Sequence, residues 1–167
     1  LIKLKWGYAP EDMLIPDAPK FVKFALGENV KQANWGDYNT VRFPQTRMGV
    51  EQVFYDAFIR AREYEKCWKE YESLSPKQRE KQNICPPARD LELEAMLEIA
   101  NSERFISCHS YVQSEINMLM HVADSMGFTV NTFTHILEGY KLADKMAKHG
   151  AGGSTFSDWW AYKYEVN

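Results

Sequence analysis

No run of apolar residues in this sequence approaches the roughly 20 needed to cross a bilayer, so no membrane span is expected. The opening residues, LIKLKWGYAP, lack a signal peptide's apolar segment and its small-residue cleavage site. They also lack an initiator Met, so the chain is expected to be processed or cut from something longer. Cysteine is scarce: Cys67, Cys85 and Cys108 are odd in number, irregularly spaced and never in a C-x-x-C pair. That pattern supports neither a disulfide framework nor a zinc knuckle, and free, mostly buried thiols are expected. Excess positive charge is missing as well. Twenty basic against 23 acidic residues leave a net charge of -3, which gives no field to hold nucleic acid and no polybasic tail for a membrane. The compartment stays open, because a mature exported chain would look the same.

What is present is an ordinary globular composition. At 167 residues, 45% hydrophobic and 26% charged, the chain can bury a core of useful size. Phe21 to Ala25 is a short β-prone run between Pro19 and Gly27. The next twenty or so residues, to about Gly49, have no period, and loops of that length are usually functional or disordered. Trp35, Tyr38 and Phe43 argue against disorder. From Val50 to Tyr71 apolar residues recur in steps of three and four, which predicts one long amphipathic helix with a solvated charged face. Ser75-Pro76 reads as the start of a short polar helix ending near Asn83, stopped by Cys85-Pro86-Pro87. Leu93, Met96, Leu97 and Ala100 mark another helical face.

The last sixty residues are the most regular. A strand at Phe105–Cys108 leads into a helix for which Ser110 and Gln113 form a reciprocal capping pair and Gly127 the C-cap. A second strand is expected at Thr129 to Thr134, then a helix ending at His149-Gly150, then a third strand in GGSTF. Alternating strands and helices with short loops predict a parallel sheet, and no solenoid repeat is present.

Four histidines fall into this frame. His121 lies on a polar helix side and is expected to be solvated. His149 is expected to cap its helix end. His109 and His135 each stand at the carboxyl end of a strand, one strand–helix unit apart, on the edge where α/β folds bind ligands. They are either hydrogen-bonded structural residues or neutral imidazoles aimed at one divalent metal. Lys23, in mid-strand between Val22 and Phe24, is either a snorkelling surface lysine or an amine at the same edge open to chemical modification.

The segments VKFALGEN, ISCHSYVQSE, NTFTHILEGYK and KHGAGGST together resemble the middle of the amidohydrolase superfamily, in its imidazolonepropionase and prolidase-like branch. The resemblance implies an α/β fold, a partial TIM (β/α)₈ barrel, with residues 1–167 as the central part of one barrel domain, incomplete at both ends. It implies a hydrolase of amide, lactam or peptide C–N bonds that activates water with one or two divalent metal ions, zinc being expected. By position, His109 and His135 match the metal histidines after the fifth and sixth strands. Lys23 resembles the fourth-strand lysine that some members carbamylate. Gly152 to Phe156 would be the seventh strand. The family's His-x-His after the first strand is absent, and so is the proton-shuttling aspartate after the eighth, expected beyond Asn167; Asp158 is no convincing substitute. Trp35, Arg42 and Arg47, on the loop after the first strand of this chain, are candidates for gripping substrate, or else are surface residues packed along that loop. Expected partners are a small amide or peptide substrate, the remainder of the barrel, and a second copy of the chain through exposed strand edges. The competing expectations are a non-catalytic α/β binding module with structural histidines, and a degenerate barrel kept as an interaction surface.

Overall fold

A computed structural model describes residues 2–31 and 43–157. Trp35, Arg42 and Asp158 lie outside these described residues. Four strands, β1 (Lys20–Ala25), β2 (Arg104–His109), β3 (Thr132–Thr134) and β4 (Gly152–Ser154), form one parallel sheet in chain order. In register, Ala25, His109, Thr134 and Ser154 share the rung at the carboxyl rim. Each connection between strands is helical. Between β1 and β2 run α1 (Glu28–Lys31), α2 (Arg47–Ser73), α3 (Pro76–Gln82) and α4 (Leu91–Ala100); α5 (Gln113–Met126) joins β2 to β3, and α6 (Ala143–His149) joins β3 to β4. The alternation expected of the sequence is therefore present, as parallel strands interleaved with helices. Among the described residues no helix is long and apolar enough to cross a membrane.

Side chains alternate across a strand, and here the two faces differ sharply. Ile106, Cys108 and Phe133 face the helices and are fully buried, alongside Phe58 of α2 and Ile116, Leu119 and Val122 of α5. The opposite face carries Phe21, Lys23 and Ser107, and Phe21 stays half exposed beside Phe105, ring centroids 5.5 Å apart. Among the described residues the core is thus one-sided.

Helix ends mostly follow the sequence. Thr46 caps α2 by accepting from the Gly49 amide (3.0 Å), and the capping box of Ser75 with Gln78 opens α3. Gly127 ends α5 with φ +78, a left-handed conformation that costs glycine nothing sterically. A Cβ there would meet no atom within 4 Å, so the only penalty for a side chain is backbone strain. Gly127→Ala should therefore lower stability by about 1 kcal/mol, read by chemical denaturation, while leaving the fold intact.

Four expectations are corrected. Ser110 and Gln113 do not cap α5: the N-cap is Val112, which offers no side-chain acceptor, and the Ser110 hydroxyl instead donates to main-chain carbonyls of Cys108 and Thr134. β3 begins at Thr132 rather than Thr129, because the Asn131 side chain takes the Ile106 amide (2.7 Å) and His149 takes the Val130 amide. His149 is accordingly no helix cap. Its side chain is 3% exposed, with Nε2 accepting from Val130 N (3.1 Å) and Nδ1 bonded to Asp124 (2.7 Å). Finally, Cys67 and Cys85 are exposed, and of the three thiols Cys108 alone is buried; burial, reinforced by the Glu115 charge, pushes its pKa up.

Candidate functional site

The rim of the sheet brings His109 and His135 together, their ring centroids 5.1 Å apart and their planes at 72°. Strand parity alone would not do this. Thr134 shares the rung of His109, so the next residue, continued as strand, would point to the helix side. His135 escapes that alternation through a left-handed backbone, φ +60, uncommon for a non-glycine residue although His tolerates it better than most. Such strain clusters at functional sites. The main chain on either side of it is bonded, Ser110 N donating to Thr134 O and Ile136 N to Ser154 O, and Leu26 N donates to His109 O.

Among the described residues, two further rings join them. Tyr111, 2% exposed, lies 4.7 Å from His109 and 6.1 Å from His135; Phe156 lies 4.2 Å from His135. Neither aromatic was singled out from the sequence. Tyr111 sits two residues past a rim histidine, a signal that spacing could have supplied. Phe156 reaches the site only through the crossover. His109 itself is buried, 9% exposed.

Two zinc-bound imidazoles, each with Zn–N near 2.1 Å and a tetrahedral angle between them, would hold their ring centroids about 5 Å apart. The observed separation fits. Among the described residues, however, no group of three or more His, Cys, Asp or Glu is arranged to hold a metal. Lys23 is exposed, on the same sheet face as His109 but paired with Ser107, two residues below the rim.

Arg47 does not stand free as a substrate grip. Its Nε donates to Glu115 (3.0 Å), a carboxylate buried to 4% exposure that also faces Lys31 Nζ at 3.4 Å. Lys31 in turn reaches Glu28 at 2.9 Å. This cluster fastens α1 and the start of α2 to the first turn of α5. His121 is exposed, as expected. A cleft of about 500 Å³ between α5 and α6 holds His121 and His149, not the rim pair.

Glu138, absent from the sequence candidates, sits three residues after His135 and is buried. Its Oε2 accepts from the Gln113 amide at 2.7 Å, and Oε1 accepts from Lys141. Burial alone would raise its pKa; the Lys141 and Gln113 hydrogen bonds, with the Lys141 and Arg47 charges, outweigh that and lower it. A carboxyl whose folded pKa is lowered contributes stability in full above its unfolded value, and loses it as pH falls through the folded one. Hydrogen exchange should therefore show the Gln113 amide losing protection only as pH drops below the ordinary glutamate range, a loss that Glu138→Gln would shift or abolish.

Comparison with family models gives no match, and comparison with curated proteins gives none either. Among solved structures, an amidohydrolase from Thermotoga maritima MSB8 superposes with a TM-score of 0.72 at 23% identity. The chain shares that protein's fold. The match covers 94% of this chain and 38% of the other, so the chain spans well under half the length of its structural neighbour.

Proposed function

We propose that this chain supplies part of the catalytic rim of a metal-dependent amidohydrolase barrel, residues 1–167 being the central portion of that domain. The observation that carries the reading is the meeting of His109 and His135 at the carboxyl rim of adjacent parallel strands, at a spacing suited to one shared metal. The fold it shares with the Thermotoga maritima amidohydrolase supports the same reading. His109 and His135 would hold the metal, zinc in the first instance, with Lys23 as the candidate for a third, carbamylated ligand. When bound, such an ion acidifies a water and polarises the carbonyl of an amide, lactam or peptide. Tyr111, itself buried, packs against both imidazoles, and Phe156 against that of His135. Substrate binding would fall to Trp35, Arg42 and the terminal nitrogens of Arg47, whose Nε is committed to Glu115.

The remainder of the barrel is the proposed partner. An apolar groove of about 400 Å³ runs beside β4, lined by Ile136, Tyr140, Ala147 and Gly153, and Tyr140 is 75% exposed. The bare inner sheet face suits the same occupant, and in its absence a second copy of the chain.

The alternative reading is a non-catalytic α/β module in which the rings of His109, Tyr111, His135 and Phe156 serve only as packing. Metal analysis of the full-length protein separates the two. The catalytic reading expects about one or more equivalents of a zinc-like ion, lost when both histidines become alanine. A metal content far below one equivalent that those substitutions leave unchanged would leave the non-catalytic module standing.

A further inference from the structure

Two loops carry the rim histidines, and besides the Ser110 hydroxyl's bond to Thr134 O the structure joins them at three points. Ser110 N donates to Thr134 O (3.0 Å), Glu138 N donates to Tyr111 O (3.0 Å), and Gln113 N donates to the Glu138 carboxylate (2.7 Å). The first belongs to the sheet ladder. The other two belong to Glu138.

The amides of a helix's first turn have no partner within the helix and are normally satisfied by the preceding residue's side chain. At α5 that residue is Val112, which cannot accept. The acceptor comes instead from the next crossover, where Glu138 places a negative charge at a helix end that favours one. Its other oxygen is held by Lys141, so the carboxylate has little freedom to turn. Glu138 therefore grips, through main chain and side chain together, the segment that begins two residues after His109, while its own chain position follows His135 by three.

We infer that Glu138 is a positioning residue that sets the relative placement of the two rim imidazoles by clamping the loop after His135 onto the loop after His109. Its consequence for metal affinity rests on the function proposed above; the geometric part does not. With the clamp removed, the rings keep their strands but lose the tie that holds their loops in register. Outer contacts of this kind typically alter metal affinity by about 10- to 100-fold. Glutamine keeps an oxygen for the Gln113 amide, and alanine keeps none, so the two variants should separate.

The experiment compares Glu138→Ala, Glu138→Gln and Gly127→Ala in the full-length protein. Gly127→Ala destabilises the far end of the same helix and controls for loss of stability alone. One readout is the zinc dissociation constant by chelator competition, and the other is the nuclear Overhauser effect between the His109 and His135 ring protons without metal. The expected result is a dissociation constant raised about 10- to 100-fold in Glu138→Ala, largely recovered in Glu138→Gln and unmoved in Gly127→Ala, with the ring-to-ring signal weakened only in Glu138→Ala. A ring-to-ring signal that survives intact in Glu138→Ala overturns the inference. Wild-type protein that binds no zinc overturns the proposed function, and the proton signal then still decides the clamp.

Discussion

Phe58→Ala is expected to cost about 3–5 kcal/mol, lowering the melting temperature by roughly 6–20 °C. The side chain is 1% exposed and joins three parts of the fold at once. It stacks on Phe128 at 4.1 Å, just past the end of α5, and turns an edge to Phe24 of β1 at 6.5 Å. Val50 and Ala61 of α2 are buried as well, so Phe58 is one of several anchors of this helix on the core, and the largest of the buried ones. Truncation removes the transfer free energy of a whole ring and leaves a cavity among aromatic groups too rigid to collapse into it. Chemical denaturation of the two proteins measures the loss directly. A difference below about 1 kcal/mol would mean that α2 does not depend on this packing.

Replacing His109 and His135 together with alanine should weaken zinc binding by more than about 100-fold, beyond the range seen when only outer contacts are lost. Two of the four positions around a tetrahedral ion would disappear, and the described residues contain no set of three alternative ligands. Loss of the second ring brings in the backbone as well, since His135 holds φ +60. His135→Asn is the useful companion, because asparagine also tolerates the left-handed region while removing the imidazole. Chelator competition gives the affinities, and circular dichroism checks that the sheet persists. Equal zinc affinity in wild type and the double variant would remove the metal from this rim.

The parts of this molecule that were legible in advance are those where local chemistry points one way. The 3.6-residue period from Val50 to Tyr71 lies within the observed helix Arg47–Ser73, and the Ser75–Gln78 box and the glycines at 127 and 150 mark helix ends where expected. That His109 and His135 stand on one edge of neighbouring strands was legible as well, from two histidines one strand–helix unit apart, because short crossovers leave consecutive parallel strands adjacent. Ser110 was misread because a serine before a helix can cap it or bond elsewhere, and its own strand neighbours claimed the hydroxyl. His149 was misread for a similar reason: its partners, Val130 and Asp124, are 19 and 25 residues away.

Sequence by itself determined the alternation of strand and helix, the direction of the strands and the edge on which the two imidazoles stand, because period, cap and crossover length act over a few residues at a time. Tertiary structure alone decided that His135 would abandon strand parity to meet His109, that Arg47 would serve Glu115, and that an acid from one crossover would cap the helix of another. Those outcomes depend on burial and on donors brought close only by folding, where an unsatisfied amide or charge is costly enough to recruit whichever partner the packing presents.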